Sequence, residues 1–179
     1  MNTNFSWEYD NYSGHYIIRG ARVLFPNFAG AAQNYNTEGR RNFRVEISED
    51  MANEMRDRGI FVKEYDGRED SDETQRTIKV SVYPDADIRF LSGRNMTSVV
   101  IDNENKDNDM GRMIDTEFRK GHVMNGEIDL EFRIARNTKV SGSSPYLRVE
   151  MMVIPIRKSK LAEAYEHYMD DEDDDVLPM

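Results

Sequence analysis

The sequence predicts a mainly β fold, because short segments that alternate apolar and polar residues dominate and helical periodicity is rare. Alternation is clearest in residues 127–136, whose alternate positions are Ile, Leu, Phe and Ile. A second clear case is residues 42–48, where Phe, Val and Ile alternate with polar residues. No strand–helix–strand repeat accompanies these segments. We therefore predict an OB-type antiparallel barrel, with a β-sandwich as the alternative.

The elements in the first third of the chain follow from glycines, turn formers and caps. Residues 15–25 are expected to form a strand that bends or bulges at Gly20. Residues 26–41 are rich in Pro, Gly and Asn, which predicts a loop before the strand at 42–48. A short helix then follows, which Ser48 can cap and Gly59 can end.

The rest of the chain adds short strands, for a total of six to eight, and little helix. Further strands are expected at residues 60–65, 77–83, 88–92, 96–101, 127–136 and 146–156. In the last strand, Leu147, Val149 and Met151 should share one face, and residues 101–112 should form a solvated loop. The predicted organisation is a flexible N-terminal arm (1–14), an OB-like β-barrel domain (15–157), and a short helix with a disordered acidic C-terminal tail (158–179).

Composition limits where the protein acts. The chain has no Cys, which excludes a disulfide framework and a thiolate nucleophile. No apolar stretch approaches the roughly 18 residues that a membrane span needs, and residues 1–16 lack the pattern of a secretory signal peptide. We therefore expect a soluble, cytoplasmic protein without a membrane partner.

No pattern in the sequence predicts catalysis, a cofactor or a metal site. His15, His122 and His167 stand apart from one another and from carboxylates at metal-ligand spacing. Phosphate-binding glycine motifs and the serine-hydrolase motif are missing from the sequence. We expect no catalytic residues, no metal ligands and no cofactor, and hence a protein that is not an enzyme.

The net charge of −10 is concentrated at the C-terminal end. Eight of the 34 acidic residues, and none of the 24 basic residues, lie in residues 163–179. The rest of the chain, with 26 acids and 24 bases, is close to neutral. Binding to the phosphates of a nucleic acid is therefore not excluded by the overall charge.

The acidic tail ends in four less polar residues, which favours docking over simple solvation. Six consecutive acids, residues 170–175, precede Val176, Leu177, Pro178 and Met179. Acids can steer the segment toward a basic rim while the apolar tip fills a pocket. The alternative is a solubility tail. The predicted partner-binding residues are Asp173, Asp174, Asp175, Val176, Leu177, Pro178 and Met179.

Aromatic and basic residues are interleaved in the first half of the chain, which is typical of single-stranded nucleic-acid binding. Bases stack on aromatic rings while Lys and Arg follow the phosphates. The alternative is that Phe25 and Phe43 belong to the core and that Arg40 and Arg41 form an ordinary charged turn. The candidate nucleic-acid-binding residues are Phe28, Tyr35, Arg40, Arg41, Phe43, Arg44, Lys63, Tyr65, Arg89, Arg94, Arg136, Lys139, Tyr146 and Arg148.

These features resemble phage-encoded single-stranded DNA-binding proteins. The ending DDDVLPM is similar to the acidic tip of bacterial and phage members, the bacterial ones ending in acids followed by Ile-Pro-Phe. The body resembles phage proteins that carry ARVLF-NF-G and then NxEGRRNF, and residues 21–47 and 127–156 carry this resemblance.

The resemblance implies an OB-fold protein that coats single-stranded DNA in phage replication and recombination, in the host-cell cytoplasm. It also implies that the tip recruits replication or recombination proteins, and we expect the tail to compete with DNA for the basic surface. A homo-oligomer is compatible with this interpretation. Two alternatives remain open: an acidic interaction factor, such as a DNA mimic or an inhibitor of a host nucleic-acid enzyme, and a virion structural protein.

Overall fold

A computed structural model describes residues 3–33, 36–66 and 73–157, which form ten strands and two helices. The predicted short helix and acidic C-terminal tail (158–179) lie outside the described residues. The elements are β1 (Ser6–Asp10), β2 (His15–Ala21), β3 (Val23–Asn27), β4 (Arg41–Ile47), α1 (Glu49–Asp57), β5 (Lys63–Tyr65), β6 (Gln75–Val82), β7 (Asp87–Ser92), β8 (Asn95–Val99), α2 (Gly111–Arg119), β9 (Ile128–Ala135) and β10 (Tyr146–Pro155).

The strands form one sheet with the order β1-β2-β9-β10-β6-β4-β3; β5 pairs with β6, and β7 with β10 and β8. Only Arg22 separates β2 from β3 along the chain, although the two strands lie near opposite ends of this strand order. The chain therefore connects the two sides of the sheet directly. The Arg22 carbonyl accepts a hydrogen bond from the Glu46 N–H at this junction (3.1 Å). The mainly β, OB-type fold is thus confirmed, as a sheet that curls without complete closure.

The predicted irregularity at Gly20 is confirmed. The β2–β9 register shifts between Ile18 and Ala21, and Gly20 has a φ of +71°. A Cβ atom on Gly20 would lie 2.3 Å from the Asn4 carbonyl oxygen. Only glycine therefore fits both the backbone conformation and the space.

Alternation along β4 and β6 builds the core as predicted. Phe43, Val45 and Ile47 of β4 are buried, and they pair in antiparallel register with β6. Helix α1 begins after Ser48, whose hydroxyl accepts the Met51 N–H, and buries its methionines against the sheet. Burial of one face of each element explains why the alternation predicted these strands correctly.

Helix α2 is an element that the sequence analysis missed. Its N-cap residue, Met110, makes no side-chain capping hydrogen bond, and the first turn carries no acid. The usual signals for a helix start are therefore lacking. Gly111 explains its position instead, because a Cβ there would lie 2.3 Å from the Phe28 carbonyl oxygen. This close approach lets the helix cover the loop after β3.

Strand β10 differs from the prediction in two ways. A register shift against β9 between Val149 and Met151 moves the buried positions to Met152 and Ile154, so Met151 is only half-buried. The expected face of Leu147, Val149 and Met151 is therefore wrong at its last member. In addition, β10 pairs in parallel with β6 and β7, whereas its pairing with β9 is antiparallel.

The expected N-terminal arm is partly a strand. Residues 6–10 form β1, which pairs along its whole length with β2. The Trp7 indole N–H also donates to the Asp50 carboxylate of α1 (2.8 Å). These contacts correct the prediction of a flexible arm over residues 1–14. Neither α1 nor α2 has the length and apolar character required to cross a membrane.

Candidate nucleic-acid interface

A groove of about 460 Å³ crosses the outer face of the sheet where β4, β6 and β10 lie side by side. Alternation dictates its chemistry: Phe43 and Val80 point into the core, so their neighbours Arg44 and Lys79 point outward. The groove is lined by Gly39, Arg40, Arg41, Asn42, Arg44, Ile60, Phe61, Lys79, Ser81, Val82, Tyr83, Asn103, Pro145, Tyr146 and Leu147.

The groove is positively charged although the protein is acidic. Four of its described lining residues are basic and none is acidic. Within the described part of the chain, Arg40, Arg44 and Lys79 take part in no ion pair. Burial, and then the charges of Arg44 and Arg40, lower the pKa of Lys79 from its ordinary value. Uncompensated cations of this kind are suited to phosphate groups.

Aromatic rings line the same groove. The Phe61 side chain is 75% exposed, unusual for a large apolar residue. Tyr83 and Tyr146 lie with their ring centroids 6.3 Å apart, and the Arg148 guanidinium lies 4.2 Å from the Tyr83 centroid. Arg148 is also paired with Asp85 (2.6 Å), which fixes it against the ring. Rings beside free cations provide the two components that single-stranded nucleic acid requires.

Arg41 lines the groove but is not a free cation, which corrects its predicted role. Its side chain is only 7% exposed. The guanidinium donates to both Asp109 carboxylate oxygens (3.0 Å each) and to the Phe28 carbonyl oxygen (2.6 Å). Further hydrogen bonds reach Asn103 and the Asp102 carbonyl. Arg41 therefore fixes the wall of the groove, since its charge is already neutralised.

Phe28 and Phe43 are core residues, which corrects their assignment as base-stacking residues. Phe28 has 0% exposure and its ring lies between those of Phe43 (5.3 Å) and Phe118 (6.1 Å). Its loop is held under α2 because the Asp115 carboxylate accepts the N–H groups of Phe28 and Ala29. Buried rings have no face to offer a base. The alternative that Phe43 belongs to the core is the correct one.

The remaining predicted residues fall into separate regions. Arg40, Arg44 and Tyr146 lie in the groove, and Arg148 lies beside it. Lys63 and Tyr65 form a cation–π pair on β5 (5.0 Å), and Arg89 is paired with Asp87. Arg94, Arg136 and Lys139 are exposed in turns and loops away from the groove lining. Tyr35 and the tail residues 173–179 lie outside the described residues.

Phe61 and Lys79, an exposed ring and a cation of the groove, were not among the predicted residues. The alternation of β6 already places the Lys79 side chain on the outer face of the sheet. Alternation does not show which strand lies next to β6, so the proximity of Lys79 to Arg44 could not be predicted. The Cα partner of Lys79 across the β4–β6 ladder is Arg44. The fold brings these two cations together although they are far apart in sequence.

A curled β sheet with a groove that combines cations and aromatic rings is typical of proteins that bind single-stranded nucleic acid. Residues 10–108 match the family of phage ssDNA-binding domains, more than half of the chain. The chain belongs to this family. It is a phage-type single-stranded DNA-binding protein and not an enzyme.

Solved structures of a bacteriophage Enc34 protein are similar to this chain. The Enc34 single-stranded DNA-binding protein in complex with ssDNA is 11% identical, with 82% of this chain and 89% of that chain covered and a TM-score of 0.49. The same protein in another structure gives 11% identity, coverage of 82% and 83%, and a TM-score of 0.48. The C-terminal truncation of the same protein is 10% identical, with 82% of this chain and 88% of that chain covered and a TM-score of 0.47. No match is found among curated proteins.

Proposed function

We propose that the protein coats single-stranded DNA during phage replication and recombination in the host cytoplasm, and that the strand lies in the groove across β4, β6 and β10. The observation that carries the proposal is the set of cations Arg40, Arg44 and Lys79, which have no acidic partner among the described residues. They lie beside the exposed ring of Phe61 and the half-buried rings of two tyrosines. Phosphates would contact these cations while bases stack on Phe61 and the tyrosines. A DNA mimic would gain nothing from such a groove.

The groove is tested by removing its free cations without changing its shape. The triple variant Arg40→Gln, Arg44→Gln, Lys79→Gln is expected to bind oligo-dT about 10- to 100-fold more weakly at 0.1 M salt, and to lower the slope of log K against log salt by about 2. The loss follows from three phosphate contacts and the counterions they release. Fluorescence anisotropy across a salt series measures both quantities.

A matched triple variant removes the same charge elsewhere. Arg19, Arg56 and Lys120 are exposed and lie outside the groove lining. Their replacement by glutamine breaks two surface ion pairs, Arg19–Glu8 and Arg56–Glu64, which contribute little to stability. It should change the affinity far less, because it removes no cation from the groove. Equal losses in the two triple variants would mean that net charge, and not the groove, governs binding.

We further propose that the barrel domain (15–157) binds DNA and that the acidic tail (158–179) acts on it in two ways. The tail acids compete with DNA for the groove, and the Val-Leu-Pro-Met segment recruits replication or recombination proteins. The free groove cations support the first role, because an acidic segment is a natural competitor for them. DNA binding would then release the segment for its partners.

Truncation after Met169 is expected to raise the affinity for single-stranded DNA, most strongly at low salt where attraction between tail and groove is least screened. Anisotropy with the full chain and with residues 1–169 measures this difference. A chain in which the acids 170–175 are replaced by their amides should behave like the truncation. A chain that lacks only residues 176–179 should bind DNA like the full chain. Equal affinities of all four proteins at every salt concentration would refute the competition.

A further inference from the structure

Phe25 adopts a backbone conformation that phenylalanine normally avoids. Its φ is +51°, and no other non-glycine residue in the described ranges has a positive φ. It precedes Pro26, which further restricts its backbone, and it lies in an irregularity of the β3–β4 ladder between Leu24 and Asn27. Glycine is the usual residue at a left-handed bulge position.

The ring of Phe25 gains little from burial in return. It is 67% exposed, so the unfavourable backbone conformation is not offset by packing in the core. Its ring centroid lies 6.4 Å from that of Tyr65, whose ring is in turn covered by the Lys63 ammonium. An exposed aromatic side chain held in a disfavoured conformation is a feature that points to function.

A second concavity, of about 590 Å³, lies between β3 and α2, and Phe25 forms part of its wall. Arg112 and Arg119 of α2 line it, and neither forms an ion pair within the described residues. Asp115 also lines it, but both of its carboxylate oxygens accept backbone N–H groups, from Phe28 and Ala29. The concavity therefore pairs one exposed ring with two available cations.

This concavity adjoins the groove. Leu24, which lines the concavity, is the Cα partner of Arg44, which lines the groove. Only one strand spacing, roughly 5 Å, separates the two positions. Single-stranded DNA that extends from the groove beyond Arg44 would therefore reach the Phe25 ring.

We infer that Phe25, with Arg112 and Arg119, forms a second subsite for the same single strand, in which a base stacks on the Phe25 ring and the arginines bind the adjacent phosphates. The inference rests on the proposed function of the groove. It extends the path of the strand across β3 to α2 and so lengthens the stretch of DNA that one molecule covers.

Phe25→Gly tests the subsite, because glycine removes the ring and adopts a positive φ freely. The melting temperature should stay the same or rise. The affinity for short oligo-dT that fills only the groove should match that of the unchanged protein, whereas affinity for longer oligo-dT should fall about 10-fold, within the range that one stacked base contributes. Anisotropy with dT oligonucleotides of 4 to 20 nucleotides measures the length dependence.

Tyr12→Gly is the matched control, because Tyr12 is fully exposed and lines neither concavity; it should bind every length normally. A second variant, Arg112→Gln with Arg119→Gln, leaves the β3 backbone untouched and should lower the salt slope by about 1 to 2 for long oligonucleotides only.

The outcomes separate the subsite from the groove. Failure of the unchanged protein to bind any oligonucleotide refutes the proposed function itself. If the unchanged protein binds DNA and Phe25→Gly has the same affinity as the unchanged protein at every oligonucleotide length, the subsite alone is overturned. An equal loss at all lengths would also overturn it, because Phe25 would then belong to the groove. A lower melting temperature of Phe25→Gly would show that the ring serves folding.

Discussion

Replacing Arg41 with methionine is expected to lower the free energy of unfolding by about 3–5 kcal/mol, because it removes a buried cation and leaves the half-buried Asp109 carboxylate and the Phe28 carbonyl without their partner. Methionine keeps much of the side-chain volume but donates no hydrogen bond. Asp109 and the Phe28 carbonyl would lose their shortest hydrogen-bond donor. The midpoint of urea unfolding should fall while the slope of the transition stays constant.

The neighbouring residue provides the control. Arg40 is exposed and forms no ion pair among the described residues, so Arg40→Met should change the stability by at most about 0.5 kcal/mol. It should weaken DNA binding instead, since it removes a free cation from the groove. Similar unfolding midpoints for the two variants would contradict the assignment of Arg41 as a structural residue.

Phe28→Ala is expected to cost about 3–5 kcal/mol of stability, the range found when a buried phenylalanine is truncated. The ring is enclosed by Phe43 and Phe118, and its removal leaves a cavity beneath α2. Thermal or urea unfolding measures the loss. Affinity for oligo-dT, measured where the variant is folded, should change little, because the ring does not reach the groove.

Phe61→Ala should give the opposite pattern. Its ring is exposed in the groove, so stability should hardly change while affinity for single-stranded DNA falls about 5- to 100-fold, the range of one lost stacking contact. A Phe28→Ala protein of normal stability that bound DNA weakly would overturn the burial of Phe28. The pair of variants therefore separates packing from stacking.

The sequence predicted the strands whose one face is buried, and it did so for a physical reason. β4, β6 and β9 alternate because their inner side chains meet the core and their outer ones meet solvent. The prediction was wrong over part of β10, where the register shift after Val149 exchanges the two faces. A single extra residue in a ladder has this effect, and alternation alone does not reveal it.

The groove was only partly predictable, because it depends on contacts between distant segments. Arg40 and Arg44 were recognised from their local pattern, but the same pattern included Arg41 and Phe28. Arg41 is excluded from DNA binding by its ion pair with the Asp109 carboxylate, and Phe28 by its burial under α2. Both partners are about 70 residues or more away along the chain. Lys79 joins Arg44 only through the register of two strands. The sequence identified the chemistry of the site, and the fold decided which residues supply it.

The position of β10 in the sheet has a consequence for how the molecule is made. β10 is the last strand of the described chain, yet it is the one that joins β9 to β6 and holds β7. A ribosome-bound chain that ends before residue 146 has three groups of paired strands, β1-β2-β9, β5-β6-β4-β3 and β7-β8, and lacks the strand that joins their open edges. Such non-local pairing is slow to form and exposes the nascent chain to aggregation until it is complete. Tyr146 and Leu147 also form part of the groove wall, so the complete groove first exists when β10 docks.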